Sequence, residues 1–92
     1  MALVLVRVNV AYPDECLDEL KRNESPLKQS GMLAAESTSS VEVPNRIYIL
    51  FTWESVPSAR NYWGSVAGKN LLEKLNSVEE PEVVILQESK EL

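Results

Sequence analysis

The stretch GMLAAESTSSVEVPNRIYILFTWESVPSARNYWGS, residues 31–65, decides how this chain folds. Its first third, residues 32–40, reads as a strand of small and polar residues, although Ala, Ser and Glu are weak strand formers. Pro44-Asn45-Arg46 then makes a turn. Arg46 to Glu54 follows as a strong strand with Ile47, Ile49, Phe51 and Trp53 on one face and Tyr48, Leu50 and Thr52 on the other. Ser55 is suited to cap the next helix, which has Pro57 in its first turn. Gly64-Ser65 predicts a split, after which Val66, Leu71, Leu72 and Leu75 continue a second helical piece.

Outward from this stretch the pattern continues. Leu3 to Val10 alternates Val4, Val6, Val8 and Val10 with Leu3, Leu5, Arg7 and Asn9, so a strand there has a valine core face and a mixed opposite face. Pro13 opens a helix with Asp14, Glu15, Asp18 and Glu19 early and Lys21, Arg22 late, which suits the helix dipole. Leu17, Leu20 and Leu27 supply its inward side. Pro26 disfavours a helical Ser25 and predicts a break there, with Gly31 ending the element. Pro81 ends the later helical region, and residues 82–89, with Val83-Val84-Ile85-Leu86, form the last strand. The order β-α-β-β-α-β predicts an α+β, ferredoxin-like fold with an antiparallel sheet, as a single domain over residues 1–92.

Composition narrows the functions. A chain of 92 residues with 45% hydrophobic and 25% charged residues belongs to the globular class. The net charge of −5, with no basic run longer than Lys21-Arg22, argues against a nucleic-acid partner. An RNA-recognition module shares the element order but needs basic residues and exposed aromatics on its central strands, and strand one has no aromatic. The apolar start is interrupted by Arg7 and Asn9 and lacks a basic n-region, so neither a signal peptide nor a membrane span is expected. Cys16, the single cysteine, forms no internal disulfide and fits a reducing cytoplasm. It sits in an acidic helix that does not favour a thiolate. The absence of histidine removes the commonest transition-metal ligand and the usual imidazole base. With no dinucleotide fingerprint either, no cofactor and no metal are expected. Gly64-Ser-Val-Ala-Gly68-Lys69-Asn70 does not make a phosphate loop: it is one residue short, ends in Asn70 and does not follow a strand.

A sheet of this kind has two faces to cover, and the helices suffice for one. Leu3, Leu5, Leu50 and part of the last strand would otherwise meet water, forfeiting roughly 1.5–3 kcal/mol of burial per leucine. A second copy packed sheet against sheet solves this, so a homodimer is expected.

Arg7 to Tyr12-Pro13, Gly31, Pro44-Asn45-Arg46-Ile47, Trp53-Glu54-Ser55, Ala59 and Tyr62-Trp63-Gly64-Ser65 together resemble the antibiotic-biosynthesis-monooxygenase-like domain of the dimeric α/β-barrel superfamily. The resemblance covers nearly the whole chain. It implies a ferredoxin-like subunit whose sheet joins its partner's into a barrel, with ligands held between sheet and helices. It also implies one of several activities: a cofactor-independent oxidoreductase acting on a phenol or quinol, a haem degrader, or no activity. Haem degraders of the family use a histidine as proximal ligand, which this chain lacks.

On that resemblance Asn9, Tyr62 and Trp63 are the candidate catalytic residues. Arg7, Tyr48, Thr52 and Asn61 are the candidate ligand-binding residues, Arg7 as a partner for a phenolate. Asn9 and at least one of Tyr62 and Trp63 are expected to touch the same small aromatic ligand, with the helix after Ser55 closing a pocket beside strand one. Each also has a purely structural reading. Tyr62 and Trp63 suit helix–sheet packing, Trp53 suits sealing the end of its strand, Arg7 suits an ion pair across the dimer, and Asn9 suits a strand end. A non-catalytic dimer that binds a small apolar or aromatic ligand is the alternative function, favoured by the lack of an obvious acid–base residue.

Overall fold

The computed structural model describes all residues, 1–92. Eight elements follow in the order β1 (Ala2–Asn9), α1 (Pro13–Arg22), α2 (Glu24–Gln29), β2 (Met32–Ser39), β3 (Arg46–Trp53), α3 (Val56–Trp63), α4 (Val66–Lys74) and β4 (Glu82–Gln87). The strands form one sheet in the order β2-β3-β1-β4, every neighbouring pair antiparallel. This is the ferredoxin-like α+β arrangement expected from the sequence.

The two-residue period of the strands divides the sheet cleanly. Val4, Val6, Val8 and Val10 join Ile47, Ile49, Phe51 and Trp53 in one buried cluster with Leu27, Trp63, Leu71 and Leu75 from the helical segments. Leu3, Leu5, Arg7 and Asn9 lie opposite Thr52, Leu50, Tyr48 and Arg46 on the other face, and all are only partly buried. Val84 and Leu86 of β4 pair with Leu5 and Leu3 and extend that open apolar face.

The helix boundaries correct one expectation. The break falls at Asn23 rather than at Ser25, and Pro26 lies inside α2. The reason is that Pro26 occupies the first turn of α2, where a backbone N–H has no intrahelical acceptor and its loss is harmless. Asn23 ends α1 instead, its side-chain amide donating to the Glu19 carbonyl at 2.7 Å. The last strand also ends two residues early, at Gln87. The split after α3 is where Gly64-Ser65 predicts it. Ser65 caps α4 by accepting from the Gly68 N–H, as Ser55 caps α3 by accepting from Ser58. Gly68 permits the sharp join, because a Cβ there would lie 2.5 Å from the Tyr62 carbonyl oxygen.

Candidate functional site: a groove between the first helices and the sheet edge

A groove lies on the helix side of the sheet, between α1–α2 and the β2–β3 edge, with a volume of about 570 Å³. Its origin is local. Beyond Met32, β2 carries only small residues where its side chains face the helices: Ala35 pairs with Phe51 and Ser37 with Ile49. Short side chains there leave space beside Leu17 and Leu20 of α1, so a trough remains. Phe51, Ile49, Leu27 and Met32 form its apolar lining. A bulge between Met32 and Ala34 displaces Leu33 and bends the edge strand beside it.

Three charged side chains of the helices line the groove: Lys21, Glu24 and Lys28. Lys28 Nζ lies 2.7 Å from Glu24 Oε1. This hydrogen bond, with the lysine's charge, holds the Glu24 carboxyl below the usual carboxylate range. Glu36 also borders the groove, but its register opposite Leu50 puts its Cβ on the open sheet face.

Behind Phe51 stands an aromatic cluster. The Trp63 ring is 5.3 Å from Phe51, 5.9 Å from Trp53 and 5.1 Å from Tyr62, measured between centroids. Trp63 is 7% exposed, and its indole Nε1 is buried without a hydrogen-bond partner. Burial pushes the Tyr62 phenol up from its ordinary range. Asn61, one position earlier on α3, is exposed.

The open face holds the other candidates. Asn9 Oδ1 accepts from Arg46 Nε at 2.9 Å, so this amide is engaged within the chain. Arg7 pairs at 3.7 Å with Glu82 and at 4.0 Å with Glu79, and Glu79 also sits 4.0 Å from Arg46. Tyr48 and Thr52 share this face.

The structure therefore brings Arg7, Asn9, Tyr48 and Thr52 to one face and Trp63, with its neighbour Tyr62, to the other. Within one chain Asn9 and Trp63 lie on opposite sides of the sheet, because β1 turns its valines toward the helices. The groove lies under α1 and α2, away from strand one and α3. Sequence reading missed the groove and its lysines. The signal was present in Ala34-Ala35-Glu36-Ser37, a strand too small to fill the space beneath two leucines. No group of three or more Cys, Asp or Glu side chains converges in the manner of a metal site, and no helix is long and apolar enough to cross a membrane.

An antiparallel four-stranded sheet with helices packed on one face, and a groove under the first pair, defines a ferredoxin-like α+β subunit. Among solved structures this is the fold of antibiotic biosynthesis monooxygenase domains, matched over nearly the whole chain. A Bordetella bronchiseptica protein with that designation superposes with a TM-score of 0.78 at 15% identity, covering 97% of each chain. SnoaB, a cofactor-independent oxygenase from Streptomyces nogalater, matches with a TM-score of 0.72 at 12% identity over 99% of this chain and 94% of its own. The ActVA-Orf6 monooxygenase of Streptomyces coelicolor, solved with nanaomycin D, gives 0.66 at 17% identity over 99% of this chain and 89% of its own. At such identities the likeness is one of fold. No protein-family model and no curated protein matches the sequence.

Proposed function

We propose that this chain is a cofactor-independent monooxygenase that takes a small phenol or quinol into the helix-side groove and works as a homodimer. The observation that carries this reading is an apolar groove floored by Phe51, backed by an aromatic cluster whose Trp63 N–H has no partner. An unmet buried donor costs about 1–3 kcal/mol, although Trp63 is not itself among the groove's lining residues. Tyr62 holds the Trp63 ring from the side, and Asn61 marks the outer end of the same helix. The fold shared with SnoaB and ActVA-Orf6 supports the reading.

The reaction asks little of the protein. A phenol with a free para carbon loses its O–H and one C–H proton, gains one oxygen atom from O2 and becomes a quinone. The second oxygen leaves as water, so no external reductant is consumed. The groove contributes orientation of the ring. Arg7, Asn9, Tyr48 and Thr52, on the open face with Leu3, Leu5 and Leu50, serve the dimer contact in this scheme.

One observation favours a second reading, a dimer that binds an aromatic ligand without turning it over. Of the two carboxylate residues bordering the groove, Glu24 is already held by Lys28 and Glu36 has its Cβ on the open sheet face. Oxygen uptake with a panel of naphthols and quinols separates the two. Consumption of one O2 per quinone formed supports the enzyme; saturable binding of the panel with no oxygen uptake leaves the binder.

A further inference from the structure

Both tryptophans of the chain and one of its three tyrosines form a closed triangle. Ring centroids are 5.9 Å apart for Trp53 and Trp63, 5.4 Å for Trp53 and Tyr62, and 5.1 Å for Tyr62 and Trp63. These are the separations of packed aromatic pairs, close enough for an electron to move directly from ring to ring. The three differ in what their polar atoms meet. Trp53 is fully buried, and its Nε1–H donates to the Ser30 carbonyl oxygen at 3.2 Å. Trp63 is 7% exposed, and its Nε1–H has no acceptor. Trp63 Nε1 is the only buried side-chain polar atom without a partner, so the hydroxyl of the partly buried Tyr62, which makes no hydrogen bond within the chain, meets water. The other tyrosines lie elsewhere: Tyr12 is exposed before α1, and Tyr48 is on the open sheet face opposite Arg7.

We propose that Trp63 and Tyr62 form a radical relay, which carries an oxidising equivalent from the buried indoles to the protein surface and spares the tryptophans from oxidation. The relay depends on the aromatic triangle alone and not on the groove holding a ligand. A strong one-electron oxidant, an oxygen-centred or azide radical, takes one electron from Trp63, the tryptophan with some exposure, and is reduced to its anion. The Trp63 radical cation has no acceptor within the chain for its N–H proton, so it stays strongly oxidising. Tyr62 gives it one electron and releases the hydroxyl proton to water. Trp63 is thereby restored, and a neutral phenoxyl radical is left on Tyr62. Burial holds the Tyr62 pKa above its ordinary range, so the neutral phenol is the reacting form at neutral pH. A diffusible reductant such as ascorbate then returns one electron to the phenoxyl, and water returns the proton. Trp53, packed on Tyr62, drains by the same route.

Pulse radiolysis in azide solution at neutral pH tests the relay, because the azide radical oxidises tryptophan far faster than tyrosine. In wild-type protein the indolyl absorption is expected to decay and the phenoxyl absorption to rise in one matched phase, at a rate independent of protein concentration. Tyr62→Phe keeps the ring packing and removes the hydroxyl. The matched phase should be lost in that variant, and oxidation products of Trp63, read by peptide mass spectrometry, should increase. The double variant Tyr12→Phe, Tyr48→Phe leaves Tyr62 as the only tyrosine and should keep the phase whole. Several results would overturn the proposal: wild-type indolyl radicals that never form or decay only by encounter between molecules, a matched phase that survives Tyr62→Phe or vanishes in the double variant, or tryptophan damage no greater in Tyr62→Phe than in wild type.

Discussion

The Trp53 indole donates from Nε1 to the carbonyl oxygen of Ser30 at 3.2 Å, joining the end of β3 to the turn that precedes β2. The same N–H lies 3.2 Å from Ser58 Oγ, and that hydroxyl is 3.0 Å from the Ser30 oxygen and 3.1 Å from Glu54 Oε1. The Glu54 N–H donates to the Gly31 carbonyl at 2.9 Å. Three chain segments thus meet at one knot: the α2–β2 turn, the end of β3 and the first turn of α3. The knot fixes α2 relative to β3, and these two elements carry opposite walls of the groove.

Gly31 is the tightest point of this knot. Its φ is +121°, which L side chains rarely adopt, and a Cβ would lie 2.6 Å from Ser58 Oγ and 2.7 Å from Trp53 Nε1. Gly31→Ala therefore adds backbone strain and displaces the hydrogen bonds around Trp53. A loss of about 2–4 kcal/mol is expected in urea denaturation. A loss below about 1 kcal/mol would show that the turn relaxes freely.

Ser58 and Trp53 act together. Ser58→Ala and Trp53→Phe should each destabilise, by about 1 kcal/mol and about 2–3 kcal/mol respectively. Because they share one hydrogen bond and one acceptor, the double variant should lose less than the sum by roughly 0.5 kcal/mol or more. Strict additivity in chemical denaturation would refute the coupling.

Alkaline pH should destabilise the protein through the buried Cys16 and the partly buried Tyr62. Burial pushes the Cys16 thiol above its ordinary value of 9.0 and the Tyr62 phenol above its ordinary value of 10.0. A raised folded pKa means the stabilisation is complete below the unfolded value and is lost as pH rises through the folded one. Melting temperature should accordingly fall above pH 9.0, and Cys16→Ala should flatten the first part of that fall. Thiol reagents should label wild-type Cys16 only as fast as the protein opens, since the residue is 3% exposed.

The open sheet face provides the test of the dimer. Leu3, Leu5, Leu50, Val84 and Leu86 form a contiguous apolar strip across three strands. Leu50→Asp puts a carboxylate in its centre, and an unpaired charge buried between two sheets costs several kcal/mol. Light scattering should report twice the chain mass for wild type at micromolar concentration and a monomer or aggregate for the variant. A monomeric wild type would refute the dimer.

Most of the fold was legible in the chain because its signals are local. Val4, Val6, Val8 and Val10 declare a core face by alternation alone, and Ile47, Ile49, Phe51 and Trp53 do the same. Ser55 and Ser65 cap helices through hydrogen bonds spanning three residues. Pro26 is ambiguous, because a proline marks a helix start as readily as a break, and only the placement of Asn23 decides between them. The site was read less well. Asn9 and Trp63 were expected on one ligand because family resemblance and proximity to the sheet drew them together. Their placement on opposite faces follows from alternation along β1 combined with the side on which α3 packs.

The sequence by itself determined the order of elements, the buried face of each central strand, and the exclusion of any internal disulfide, since these depend on residue type and on spacing along one segment. Tertiary structure alone decided that Trp63 stands behind Phe51 with its N–H unmet. It also decided that Lys28 is taken by Glu24 while Lys21 is left unpaired beside the groove. These outcomes depend on where side chains from separate segments come to lie, and on the space that the small residues of β2 fail to fill. No periodicity within one segment encodes either.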